Sequence, residues 1–132
     1  MDIKQIQQQA IEYFKQNIEK FKNAYNENSF VKKMRDFSVK AGAKIVYTVY
    51  KLFYALKSDA VPLKDKIIAM AALGYFISPI DLIPDIFSSI GLIDDAAILA
   101  WALGRIDQYI TPDIDEKARE KVFKLFGPVK FD

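Results

Sequence analysis

From Ile67 to Ile80 the chain runs for 14 residues without a charged side chain. A segment that is apolar all round, and not along one stripe only, has to be enclosed by protein or by lipid. It is short of the roughly 20 residues that a single bilayer crossing takes. It therefore reads as the central helix of a bundle, Pro62–Ile77, begun by a proline whose missing N–H costs nothing at a first helical position. Ala69, Ala71, Ala72 and Gly74 leave room for neighbouring helices to come close. The rest of the chain must be arranged to cover this segment.

The next stretch is still apolar but interrupted. Ala71–Trp101 carries two prolines, Pro79 and Pro84, and four aspartates, Asp81, Asp85, Asp94 and Asp95. Ser78-Pro79-Ile80-Asp81 has the form of a helix start, with Ser78 as N-cap and Asp81 reaching back as in a capping box. Pro84 prevents a long continuation, because its ring clashes with the preceding turn. Ser78–Ile93 thus reads as a proline-broken connection to a further helix, Ala96–Tyr109. Asp94 and Asp95 suit the positive end of that helix. Ile98, Leu99, Ala102, Leu103, Ile106, Tyr109 and Ile110 make its buried face, and Trp101 lies off the centre of that stripe.

Three more amphipathic segments complete the bundle. In residues 2–25, Ile3, Ile6, Ala10, Phe14, Ile18, Phe21 and Tyr25 recur at helical steps. A turn is expected within Asn23–Ser29, with Ser29 placed to cap the next helix. That helix spans residues 30–57, with Phe30, Met34, Phe37, Ala41, Ile45, Val49, Leu52 and Leu56 along one stripe. The last helix, 112–126, has Thr111 as N-cap, Pro112 at its first position and Gly127-Pro128 beyond its end. Ala118, Val122, Phe123, Leu125 and Phe126 are its apolar contributors. The expected fold is all-α: residues 1–132 form a single compact bundle of about five helices, with Pro62–Ile77 and Ala96–Tyr109 as an antiparallel central pair.

Composition narrows the chemistry. There is no cysteine and no histidine, so thiolate sites, imidazole metal sites and the usual nucleophile–base systems are absent. No catalytic residue is named, no cofactor is implied, and an enzymatic role is not expected. The N-terminus is polar and periodic and lacks a secretory apolar core, so a cytoplasmic chain, or one at the cytoplasmic face of a membrane, is expected. Net charge is +2, from 19 Lys/Arg against 17 Asp/Glu. It is unevenly spread: residues 30–66 hold nine cations against three anions, and residues 81–120 hold three against nine. This pattern orients a molecule on an anionic surface or binds two parts of one bundle together. It does not suit a nucleic-acid binder.

The aspartates Asp81, Asp85, Asp94 and Asp95 also raise a metal reading, since Mg²⁺ and Ca²⁺ take oxygen ligands. Their spacing is not that of an EF-hand, and Ile98 stands where a third acid of an Asp-Asp-x-x-Asp motif belongs. Helix capping accounts for each of them separately. The basic aromatic helix at 30–57 supports a different surface. Lys32, Lys33, Lys40, Lys44 and Lys51 would meet anionic headgroups, with Tyr47, Tyr50 and Tyr54 at the interface.

Tyr75, Ser78-Pro79-Ile80-Asp81-Leu82-Ile83-Pro84-Asp85, Gly91 and Asp94-Asp95 together resemble the signature of the YkvA-like or DUF1232 family of prokaryotic proteins. The resemblance covers about 62–103. It implies a helical, often membrane-associated domain and brings no established reaction. The family's usual second proline after Pro-Asp is missing, with Ser88 near its place. The expected function is a non-enzymatic membrane-associated adaptor or scaffold, whose partner is an anionic membrane surface or a membrane protein. The alternatives are a soluble interaction or oligomerisation module, self-association included, and, ranked last, a carboxylate-based metal-dependent enzyme.

Overall fold

The computed structural model describes residues 2–78 and 92–129, with side chains at 2–35, 42–78 and 95–129. Among these residues there are seven α-helices, one 3-10 turn and no strand. They are α1 (Ile3–Gln16), α2 (Ile18–Ala24), α3 (Glu27–Ala41), α4 (Ala43–Leu56), α5 (Leu63–Ile77), α6 (Leu92–Ile106) and α7 (Pro112–Phe126), with the 3-10 turn at Asp107–Tyr109. The expected five became seven because two long helices each break once.

The first break is at Asn17. Its side-chain amide donates to the Tyr13 carbonyl (2.8 Å) and its N–H to Phe14 O (3.0 Å). A short polar side chain thereby replaces the next helical turn. The apolar stripe continues across the break, but its two halves face different partners. α1 lies on α6, and α2 lies across α5. The second break is at Gly42, whose φ of 86° lies in the region that favours glycine. Residues 30–57 are therefore two helices. Asn26, not Ser29, caps α3, its side chain accepting from the Ser29 N–H at 2.9 Å.

α5 is the centre. Ile68, Ala69, Ala71, Ala72, Leu73, Gly74, Tyr75 and Phe76 are all buried, packed by α2, α3, α4 and α6. The described part of the charge-free stretch is thus mostly enclosed by protein, and no described helix is long and apolar enough to cross a membrane. Pro62 stands just before α5 as its N-cap rather than inside it. α2 approaches so closely that a Cβ on Gly74 would lie 1.8 Å from the Phe21 carbonyl oxygen. Ser78 caps the end of α5, its hydroxyl donating to Gly74 O at 2.6 Å; the helix start expected from Ser78 onward lies outside the described residues. The expected cap at Asp81 and the Pro79–Gly91 break lie outside the described residues.

α6 starts four residues earlier than expected, so Asp95 sits within its first turns. Ile98, Leu99, Ala102 and Ile106 are fully buried, as the stripe predicts. α7 starts where expected, with Thr111 Oγ1 accepting from the Ile114 N–H (3.2 Å) and Pro112 in the first turn. It buries Ile114, Ala118 and Val122, whereas Phe123 and Leu125 point outward, 60% and 47% exposed. Three buried positions at four-residue steps leave Phe123 and Leu125 off the seam.

Candidate functional site

The basic aromatic face expected on 30–57 is largely committed inside the molecule. α7 lies along α4. Lys117 stands over the Tyr54 ring (5.9 Å), Lys121 over Tyr50 (5.8 Å) and Arg119 over Tyr47 (5.1 Å). Such cation–ring contacts are worth about 0.5–1 kcal/mol each at exposed sites. Tyr50 also packs against Phe30 and Phe53, and Tyr47 is buried. Lys51 lies half-buried over Tyr47 at 4.0 Å. Lys33 reaches α5, donating to the Phe76 carbonyl and lying 4.5 Å from its ring centre. Lys32 and Lys44 are exposed, and the side chain of Lys40 lies outside the described residues.

Tyr47 and Asp115 form a polar link between α4 and α7. The Tyr47 hydroxyl donates to Asp115 Oδ1, while Arg119 Nε donates to Oδ2 at 2.8 Å. Burial, and then the bond to Asp115, push the Tyr47 hydroxyl up to about 12. Burial pulls the Asp115 carboxyl upward, but donation from Tyr47 and Arg119 outweighs it and holds the group below its ordinary range. A depressed carboxyl contributes stability above its unfolded pKa and loses it as pH falls through the folded one. A raised phenol contributes below pH ~10 and loses that contribution between about 10 and 12. Tyr47→Phe is expected to lower stability at neutral pH by about 1 kcal/mol and to flatten both limbs. Urea unfolding midpoints between pH 2.5 and 11 check this. A variant with an unchanged acid limb would show that Asp115 does not depend on Tyr47.

The signature residues separate into two sets. Tyr75 is buried against Phe14 and Phe21, with ring centres at 6.0 and 4.9 Å, and Ser78 is buried at the end of α5. Pro79, Asp81, Pro84, Asp85 and Gly91 lie outside the described residues, as does the side chain of Asp94. Asp95 is half-buried on α6. Among the described residues no group of three or more acidic side chains is placed to hold a metal ion.

What the structure adds is an open edge on α6. The helix packs on α1, α4 and α5, yet Ala100 and Gly104 are exposed and Ala96 and Ala97 half-exposed. A groove of about 500 Å³ runs on the α1 side, between Lys4, Gln7, Gln8 and Ile11 and the Ala96–Trp101 face. A second, of about 230 Å³, lies on the α4 side, between Lys44, Ile45 and Thr48 and Ala96, Leu99 and Ala100. Trp101 sits in the α1-side groove with Phe14 at 5.8 Å and the cations of Lys15 and Arg105 near its ring. Ala96-x3-Ala100-x3-Gly104 was visible as a run of small residues, but sequence alone does not say which face of α6 is covered.

The comparisons with known proteins meet this core. A family model for a protein of unknown function, DUF1232, matches residues 65–101. That segment belongs to the DUF1232 family. It takes in α5 from Asp65, the connection to α6, and α6 as far as Trp101. The DUF1232 segment is therefore the central helix with the helix that bears the open edge, while α1, α2, α3 and α4 pack around it and α7 lies on α4. No curated protein and no solved structure is detectably similar to the chain.

Proposed function

We propose that the chain is a non-enzymatic interaction module, an adaptor whose contact element is the exposed edge of α6 and whose partner presents a helix there. The observation that carries this reading is the pair of grooves flanking Ala96, Ala97 and Ala100. Alanine and glycine let a second backbone approach closely, and a groove on each side receives the ridges of an incoming helix. A small substrate would need several converging polar groups to fix its orientation. The linings offer instead aliphatic surface, the Trp101 ring, two glutamines, a threonine and two lysine rims. Replacing Ala100 by a photo-activatable phenylalanine analogue, in cells that naturally make the protein, tests this. Covalent adducts are expected from position 100 and not from Glu120 on α7. Equal yields from both positions would remove α6 as the contact element.

A membrane surface is a second reading, favoured by one observation. Lys32, Arg35, Lys44 and Lys64 are exposed and make no ion pair among the described residues. Each cation near an anionic leaflet contributes about 1 kcal/mol, screened by salt. The tyrosines take no part in this version: Tyr47 is buried, and cations of α7 stand over the Tyr50 and Tyr54 rings. Co-sedimentation with phosphatidylserine vesicles in low salt should weaken on reversing Lys32, Arg35 and Lys44 together. A wild-type protein that ignores such vesicles would end the membrane reading and leave the first untouched.

A further inference from the structure

We infer that the helix received by the α6 edge is α6 of a second copy, in a two-fold antiparallel pair centred on Ala100; this rests on the docking reading above. The α6 edge matches itself. With the two-fold axis at Ala100, Ala96 of one copy lies against Gly104 of the other, so small residues oppose small residues along the contact. An axis perpendicular to α6 brings the α4 side of one copy against the α4 side of the other.

Charge then selects this partner. Lys44 rims the α4-side groove beside Ala96. Asp107 is exposed in the 3-10 turn three residues beyond Gly104. Seven residues on from Ala100, two helical turns, it returns to the face that carries Ala96, Ala100 and Gly104. In the antiparallel pair, Asp107 of the second copy passes about 4.5 Å beyond the level of Ala96, at 1.5 Å per residue. That is within the reach of the Lys44 side chain. Two-fold symmetry makes the contact twice, Lys44 to Asp107 in each direction. A parallel pair would instead place α1 against α4 and leave both charges without this match. An unrelated helix would have to supply an acid for Lys44, a cation for Asp107 and small residues opposite both Ala96 and Gly104, all of which the second copy already carries.

Sedimentation equilibrium of the purified full chain over a wide concentration range tests this. The wild type should be a monomer–dimer system. Ala100→Arg, at an exposed position on the axis, should give monomer at every concentration with unchanged helical circular dichroism. Lys44→Asp and Asp107→Lys should each raise the dimer dissociation constant by about tenfold, since like charges then oppose each other. The double exchange should return it to near the wild-type value. Lys44 lies in the first turn of α4, where an aspartate suits the helix dipole, so misfolding is not an expected source of loss. A wild-type chain that stays monomeric at several hundred micromolar would overturn the proposal. So would a dimer indifferent to Ala100→Arg, or one in which the double exchange is as weak as the singles. Adducts at position 100 that contain only other proteins would keep the docking reading and reject the second copy. Equal adducts at positions 100 and 120 would reject both.

Discussion

Gly74→Ala is expected to destabilise the fold by about 3 kcal/mol or more, at or beyond the upper end of what overpacking costs in a filled core. The added carbon would lie 1.8 Å from the Phe21 carbonyl oxygen and 2.8 Å from its carbon. Both neighbours are main-chain atoms of α2, so no side chain can rotate away to make room. α2 would have to lift as a unit, taking Phe21 from its place beside Tyr75 and Phe14. The Ser78 hydroxyl, which donates to the Gly74 carbonyl, would feel the same displacement. Urea unfolding followed by circular dichroism checks this. Gly104→Ala provides the control, because a Cβ there meets nothing within 4 Å. Equal midpoints for the two variants would mean that α2 does not lie on α5 as described.

Gly74 also shows where sequence reasoning stops. That small residues in α5 admit close neighbours was legible from Ala69, Ala71, Ala72 and Gly74. Which neighbour came close was not, because it depends on the break at Asn17. The stripe from Ile3 to Tyr25 keeps helical spacing through that break, with no glycine or proline to mark it. Asn17 alone carried the signal, as a residue that bonds its own upstream backbone. Gly42 was the plainer sign, a glycine in mid-helix, and its positive φ ends α3. α7 was readable almost completely, because Thr111, Pro112 and Gly127 are strong local signals that need no tertiary context. Its outward Phe123 and Leu125 were not readable, since an apolar residue count cannot tell the seam from its flank.

The site was less legible for a related reason. Lysines and tyrosines on 30–57 have the composition of an interfacial helix. Composition does not say that another helix of the same chain will cover the tyrosines with its own cations. Lys117, Arg119 and Lys121 do so from α7. The charge asymmetry therefore acts partly inside the bundle: burial holds the Lys51 ammonium below its ordinary range, and Asp115, which bonds Tyr47, offsets part of that pull. The open edge of α6 is the converse case. Its small residues resemble buried ones in sequence, and only the placement of α1 and α4 leaves them uncovered.

Phe14→Ala is expected to cost about 3–5 kcal/mol, the range for deleting a large aromatic side chain from a packed core. Phe14 is completely buried and is the point at which four helices meet. Its ring contacts Phe21 of α2 at 6.1 Å, Tyr75 of α5 at 6.0 Å and Trp101 of α6 at 5.8 Å. Two of these contacts are edge-to-face, an arrangement that adds about 0.5–1.5 kcal/mol beyond area burial. The gap cannot close easily, because α1 is held at one side by α6 and α2 by the close contact at Gly74. Trp101 is the only tryptophan, so its fluorescence reports on this junction directly. The variant should show a red-shifted, more exposed Trp101 at full helix content, and a lower urea midpoint with the same slope. α1 also forms one wall of the larger groove through Lys4, Gln7, Gln8 and Ile11. Loosening α1 should therefore weaken the proposed self-association as well as stability, whereas Tyr47→Phe, on the α4–α7 side, should lower stability alone. A Phe14→Ala protein that loses less than about 1 kcal/mol, below the range for any large buried side chain, would show that α1 is not held through this ring.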